Sequence, residues 1–294
     1  MRFPGIVPAL TVPFTADDRV DVAALRDNAT FLLEHGVDGF VVNGSMGEAA
    51  SLSLEERALV LSSVVELVGG RVPVVAGVSA ASTAAACGHA HAAREGRADG
   101  VMCLPPLNYR GAPEEVVAFY AAVAGEGLPV MAYNNPEASG VDMPVEVIAS
   151  IASEVPGVVA VKECSGDARR IAALLGATED LEILVGGDDW ALEGAAAGAT
   201  GWVSGVANVA PAQCVALFEH VRAGRLAEAG EVYQRLLPLA RLDMTPWLVQ
   251  FFKCAMDMVG LRGGPVRPPR LELGEPGRGA VREAVEALGV PVVA

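Results

Sequence analysis

Eight short apolar segments, separated by longer amphipathic ones, restrict the fold of this chain more than any other feature. The segments lie at 7–11, 39–43, 73–78, 100–104, 129–133, 158–162, 182–186 and 201–205. Most are apolar at nearly every position, which is typical of parallel strands covered on both faces. Between them, residues 21–35 place apolar side chains on one helical face, and SLEE at 53–56 has the form of a capping box. We therefore predict eight alternations of strand and helix.

This alternation predicts an α/β protein with a closed (β/α)8 barrel, or TIM barrel, over residues 1–222. Residues 223–294 are predicted to form a C-terminal helical extension of the same domain, with helices at 225–240, 243–260 and 279–288. The alternative is an open doubly wound sheet with a glycine-rich dinucleotide loop. The sequence contains neither G-x-G-x-x-G nor a P-loop lysine motif, so the barrel is favoured.

Composition and charge exclude several functional classes. A chain of 294 residues that is 52% hydrophobic buries a large core, and a net charge of −15 argues against nucleic acids and anionic membranes as partners. No apolar run is long enough to span a bilayer and no cleavable signal pattern is present, so we expect a cytoplasmic protein. Five scattered cysteines form no C-x-x-C motif, and His89 and His91 point to different helix faces. We expect neither a metal nor a nucleotide cofactor.

Polar segments follow several of the predicted strands, and active sites of (β/α)8 barrels lie at the C-terminal ends of the strands. Strand two leads into NGSMGE at 43–48 and strand five into YNNP at 133–136. Strand six ends at Lys162, and strand seven leads into GGDD at 186–189. These segments are distant in sequence, but a barrel places them around one opening.

Lys162 is the principal catalytic candidate. It ends an apolar strand in a chain with only two lysines, Lys162 and Lys253, among 21 basic residues. An amine whose pKa is lowered by burial attacks a ketone to form a Schiff base, whereas arginine stays protonated. The alternative is a structural lysine that snorkels or pairs with Glu163. For Lys253 we predict a place on a C-terminal helix, at the surface or in an ion pair between elements.

Tyr133 is predicted to transfer protons beside Lys162, although a tyrosine at a strand end is more often a packing residue. Gly44, Ser45 and Met46 belong to a turn whose N–H groups and Ser45 hydroxyl suit a substrate carboxylate, unless it is a plain turn.

Gly187 and Val203 are further candidates for substrate binding. They lie in GGDD and GWVSG, which resemble the phosphate site of some barrels. No basic residue is near either segment in sequence, so we favour close approach of the backbone. Asp188 or Asp189 is alternatively a helix cap.

Seven motifs, in this order and spacing, resemble one enzyme family over nearly the full length: IVPALTVPF, GSMGE, LSLEER, YNNP, VKECSGD, GGDD and GVANVAP. The family is that of dihydrodipicolinate synthase and N-acetylneuraminate lyase, the class I Schiff-base aldolases and lyases. The resemblance implies a homotetramer built as a dimer of dimers and a Schiff base between Lys162 and a 2-oxo acid. It also implies proton transfer by Tyr133 and carboxylate binding by Ser45 and the Met46 amide.

Two departures from the synthases of this family concern hydroxyl groups. Where the synthases carry two threonines after the glycine, this chain has Ser45 and Met46, and methionine cannot relay a proton. Asn108 stands where they carry a tyrosine that reaches the neighbouring subunit, and Tyr109 follows it. The hydroxyl relay of the synthases is therefore interrupted at Met46.

A third departure concerns charge. Glu137 and Ala138 lie where the synthases carry an arginine for a second carboxylate, which an acidic side chain repels. GSMG, the RGA of NYRGAP and the run at 246–253 most resemble the hydroxyproline-catabolic branch. That branch converts 1-pyrroline-4-hydroxy-2-carboxylate to 2,5-dioxopentanoate and ammonia, which is the predicted function. Alternatives are a 2-keto-3-deoxy sugar acid dehydratase or aldolase, an N-acetylneuraminate lyase-like aldolase, the disfavoured dihydrodipicolinate synthase, and a non-catalytic barrel that binds a 2-oxo acid.

Overall fold

The eight predicted strands form one parallel sheet that curves into a barrel. A computed structural model of the protein describes Phe3 and residues 5–293. The strands are β1 (Gly5–Pro8), β2 (Phe40–Val42), β3 (Val74–Gly77), β4 (Gly100–Cys103), β5 (Val130–Asn134), β6 (Val158–Glu163), β7 (Glu182–Val185) and β8 (Gly201–Ser204). Their order is β1-β8-β7-β6-β5-β4-β3-β2, and a parallel bridge between Ala9 and Val41 brings the two end strands together. The predicted (β/α)8 barrel is confirmed.

Helices cover the outside of the barrel. They are α1 (Val22–Glu34), α2 (Leu54–Val68), α3 (Thr83–Glu95), α4 (Pro113–Ala124), α5 (Pro136–Ser139), α6 (Val145–Glu154), α7 (Arg169–Ala177), α8 (Ala191–Ala196) and α9 (Pro211–Arg222). The predicted capping box opens α2: the Ser53 hydroxyl accepts from the Glu56 amide at 3.2 Å, and the Glu56 carboxylate accepts from the Ser53 amide at 2.9 Å. No helix within the described residues is long and apolar enough to cross a membrane.

The C-terminal extension consists of α10 (Leu226–Ala240), α11 (Leu248–Met258) and α12 (Glu275–Ala287). The helix predicted at 243–260 begins only at Leu248. Thr245 is extended because it precedes Pro246, and a residue before proline avoids the helical region. A short 3-10 turn, Arg241–Met244, therefore replaces the first part of the predicted helix. The helix predicted at 279–288 begins earlier, at Glu275, because Pro276 is accommodated in the first turn of a helix.

The register of the sheet positions the site. Along β5 and β6, Tyr133 pairs with Lys162 and Asn134 pairs with Glu163. Because paired residues of parallel strands point to the same face, the two candidate catalytic side chains lie side by side at the C-terminal end of the barrel. Gly77 allows the chain after β2 to pass close by, since a Cβ atom there would lie 2.3 Å from the Asn43 carbonyl oxygen.

Candidate active site

A cavity of about 220 Å³ opens at the C-terminal ends of the strands. It brings together six of the seven predicted site residues: Gly44, Ser45, Met46, Tyr133, Lys162 and Val203. Gly187 does not line this cavity, whereas its neighbour Gly186 does. Gly187 packs against the indole ring of Trp190, and a Cβ atom on Gly187 would lie 2.1 Å from Trp190 Nε1.

Lys162 and Tyr133 form the centre of the cavity. Lys162 is 6% exposed, and its Nζ atom lies 4.2 Å from the centroid of the Tyr133 ring. Asn135 donates from Nδ2 to the Tyr133 hydroxyl at 2.8 Å, which fixes the phenol beside the amine. A buried amine next to an oriented hydroxyl is the arrangement that Schiff-base chemistry requires.

Glu163 does not pair with Lys162 within the described residues, so that part of the structural alternative for this lysine is wrong. Successive residues of a strand point to opposite faces, and the Glu163 side chain is buried on the other side of β6. Its carboxylate accepts from Asn134 Nδ2 at 3.0 Å and from the Ser165 amide at 2.6 Å, and lies 3.5 Å from Arg170 Nε. The Lys162 amine is left free of a carboxylate partner among the described residues.

The pKa of Lys162 is raised in the structure, whereas the sequence predicts that burial lowers it. Burial lowers it, but Tyr133, Cys164 and Asp243 raise it by more, so the net pKa lies above the ordinary lysine value. Burial raises the pKa of Tyr133 and raises that of Cys164 to about 12. Both groups are therefore neutral at pH 7, and Asp243 is the anion among these three that acts on the amine there.

The GSMG turn (residues 44–47) presents unoccupied amides to the cavity. The Gly47 amide donates to the Gly44 carbonyl and the Glu48 amide to the Ser45 carbonyl, both at 3.1 Å. Within the described part of the chain, the amides of Ser45 and Met46 donate to no acceptor. Such successive free N–H groups suit an anion, as predicted for a substrate carboxylate.

Glu48 anchors this turn to the C-terminal extension. It is fully buried, and its carboxylate lies 2.6 Å from Lys253 Nζ and accepts from the Arg267 amide at 3.0 Å. Lys253 is 2% exposed, donates to the Pro265 carbonyl at 2.7 Å and lies 4.2 Å above the Phe14 ring. The predicted ion pair between elements is confirmed for Lys253, and its surface alternative is wrong.

Asp188 is not a helix cap. Its buried carboxylate instead accepts from Trp202 Nε1 at 2.8 Å, from the Gly205 amide at 3.0 Å and from the Val206 amide at 2.7 Å. The short helix after β7 has Gly187 at its N-cap and no side-chain cap. Asp188 therefore connects the ends of β7 and β8 beneath the cavity.

Asp243 and Thr245 line the cavity but were not predicted from the sequence. Both belong to the segment between α10 and α11, which the pattern predicted as a regular helix after Asp243. The one usable signal was Pro246, which breaks that helix. Asn108 and Tyr109 do not line the cavity; Tyr109 is 50% exposed and donates to the Glu115 carboxylate at 2.9 Å. The tetramer and the role of Tyr109 in it stay predictions.

Comparisons with known proteins agree with this geometry. A sequence model described as the Dihydrodipicolinate synthetase family matches residues 2–288. The chain is 36% identical over 280 residues to a 4-hydroxy-tetrahydrodipicolinate synthase of Methanoculleus marisnigri, covering 93% of this chain and 95% of that protein. A synthase of the same name from Methanopyrus kandleri is 35% identical, with 97% and 96% covered. The solved structure of a putative dihydrodipicolinate synthetase from Pseudomonas aeruginosa is 35% identical, with a TM-score of 0.92 and coverage of 98% and 100%.

Proposed function

The chain belongs to the dihydrodipicolinate synthetase family, whose members are lysine Schiff-base lyases, and we propose that it deaminates 1-pyrroline-4-hydroxy-2-carboxylate to 2,5-dioxopentanoate. The observation that carries the proposal is the charge of the cavity. Among the described lining residues, Lys162 is the single cation, whereas Glu137 and Asp243 contribute carboxylates. This lining suits a substrate with one carboxylate and an amine at its far end.

The same charges argue against the reaction named for the relatives. A second substrate carboxylate requires a second cation, and the cavity offers Glu137 and Asp243 instead. Two like charges in a partly buried site repel by several kcal/mol, on the order of 4 kcal/mol for a pair about 4 Å apart at an effective dielectric constant of about 20. The relatives therefore support the Schiff-base chemistry, while the lining favours another substrate.

The chemistry proceeds by exchange of imines. The Lys162 amine attacks C2 of the cyclic imine, and the ring nitrogen leaves C2 and becomes a primary amine on C5. The new iminium makes C3 acidic, so a C3 proton is lost and the 4-hydroxyl is then eliminated as water. Tautomerisation gives an imine at C5, whose hydrolysis releases ammonia. Hydrolysis at C2 frees Lys162, so one water is released and two are consumed.

Three parts of the cavity support these steps. The free amides of Ser45 and Met46 suit the carboxylate on C2, next to the Lys162 amine. Tyr133, beside Lys162, transfers the protons at C2 and C3. Glu137 is exposed at the cavity rim and binds the ammonium group that ring opening places on C5.

The proposal is tested by measuring ammonia release from 1-pyrroline-4-hydroxy-2-carboxylate with the purified protein. We expect release in a 1:1 ratio to 2,5-dioxopentanoate. Parallel assays measure cleavage of N-acetylneuraminate, dehydration of 2-keto-3-deoxy sugar acids, and condensation of pyruvate with aspartate semialdehyde. Turnover in one of these, with no ammonia release in the first assay, contradicts the deaminase.

Replacing Tyr133 by phenylalanine tests the proton-transfer role. The ring over Lys162 is retained, but the hydroxyl is lost, so we expect kcat to fall by about 10²- to 10⁴-fold. Borohydride trapping of a pyruvate adduct should persist. Tyr120→Phe is the matched control, because the Tyr120 hydroxyl is buried on the Cys103 carbonyl at 2.9 Å, away from the cavity lining. Equal activity of Tyr133→Phe and the control contradicts the role.

A further inference from the structure

Asp243 is placed in the cavity by a segment outside the barrel. The 3-10 turn Arg241–Met244 connects α10 with α11, and Asp243 lines the cavity with Lys162. Its position is fixed by close approach to Gly205. A Cβ atom on Gly205 would lie 3.2 Å from Asp243 Oδ1, 3.0 Å from Asp188 Oδ2 and 2.6 Å from Met46 Cε. Two carboxylates and the Met46 side chain therefore converge at the end of β8.

These two carboxylates differ in what they bind. Asp188 accepts three hydrogen bonds, from Trp202 and from the amides of Gly205 and Val206. Within the part of the chain that the structure describes, Asp243 forms no ion pair, and its hydrogen-bond contact is with the backbone of Asp188. Asp188 is thus committed to the protein, while Asp243 is available to a molecule in the cavity.

The surroundings of Asp243 raise the pKa of its carboxyl group. Burial raises the pKa of its carboxyl to about 6; Lys162 opposes this shift, and the acidic Asp189 and Glu137 add to it. Burial and the neighbouring Asp243 also raise the pKa of Asp188. A carboxyl with a pKa of about 6 carries a proton in about a tenth of molecules at pH 7, roughly a hundredfold more than an ordinary aspartate.

Elimination of the 4-hydroxyl needs an acid, because hydroxide is a poor leaving group. Tyr133 lies at the Lys162 end of the cavity, and Met46 has no proton to give. Glu137 lies exposed at the rim of the cavity. Asp243 remains as the carboxyl group of the cavity lining whose raised pKa lets it supply a proton.

We propose that Asp243 is the general acid that protonates the departing 4-hydroxyl group, a role that rests on the proposed function. The electron pair of the enamine formed with Lys162 moves to C3–C4 as the C4–O bond breaks. The Asp243 proton passes to the departing oxygen, which leaves as water, and the resulting carboxylate is reprotonated from solvent. No oxidant, reductant or further reactant is needed.

The test compares Asp243→Asn on two substrates. With the 4-hydroxy substrate, we expect kcat to fall by about 10²- to 10⁴-fold, the range for loss of a general acid. With a 4-chloro analogue, chloride leaves without a proton, so the variant should lose less than about fivefold. The alkaline limb of the wild-type kcat profile, which falls as pH rises through about 6, should disappear in the variant.

Two controls separate this role from a structural one. Pyruvate should still be trapped on Lys162 in Asp243→Asn, which shows an intact site. Asp180→Asn, which removes an exposed carboxylate outside the lining, should keep kcat within about threefold of wild type. An equal loss on both substrates, or no loss on either, overturns the role of Asp243. Absence of ammonia release by the wild-type protein instead overturns the proposed function, and the role with it.

Discussion

Lys162→Arg will abolish both turnover and covalent trapping of pyruvate by borohydride. Arginine keeps the positive charge beside Tyr133 but stays protonated, so no nucleophile remains. We expect kcat/KM to fall by about 10⁴-fold or more, as when other enzymes lose the nucleophile of a covalent mechanism. The measurement combines steady-state assay with mass spectrometry of the borohydride-treated protein.

The composition of the chain makes this experiment unusually specific. Lys162 and Lys253 are its only lysines, so a peptide map assigns an adduct to one of two side chains. Lys253→Arg is the matched control and should retain the adduct, because Lys253 Nζ is buried against Glu48 and does not line the cavity. An adduct that persists in Lys162→Arg contradicts the assignment of the Schiff base.

The barrel and the centre of its site were predictable because they depend on local patterns. Continuous apolar runs specify strands buried on both faces, and their number specifies a closed barrel. A strand that ends in Lys162 and a strand that ends in Tyr133 then reach the same opening, since parallel strands share one C-terminal edge. Tyr133 and Lys162 then pair across β5 and β6 because of the register of these two strands.

What was not predictable depends on tertiary contacts. Asp243 enters the cavity because Pro246 interrupts a helix and the extension folds over the barrel opening. No local pattern in the sequence shows that this segment folds toward the cavity. The pKa of Lys162 lies above its ordinary value because neighbours from three separate segments outweigh burial, a balance that no local pattern contains. Gly187 lies one residue from the cavity because Trp190 packs against it.

Breaking the buried pair of Glu48 and Lys253 is expected to produce the largest loss of stability. Glu48→Gln leaves the Lys253 ammonium 2% exposed with no carboxylate at 2.6 Å. The loss of a partner from a buried ion pair costs about 3–5 kcal/mol, because the remaining charge is not solvated. Urea denaturation should show this as a lower free energy of unfolding with an unchanged slope.

The double variant Glu48→Gln/Lys253→Met tests whether the loss of stability comes from the unpaired charge of Lys253. It removes both charges, so we expect it to be more stable than Glu48→Gln alone, with a coupling energy on the order of 1–3 kcal/mol.

Glu48 also follows the GSMG turn at a φ of +53°, so its release should loosen the amides of Ser45 and Met46. KM should then rise more than kcat falls, since we propose that those amides bind the substrate carboxylate and take no part in proton transfer. If Glu48→Gln loses less than about 1 kcal/mol of stability, or lowers kcat alone, the proposed link between the C-terminal extension and the GSMG turn is contradicted.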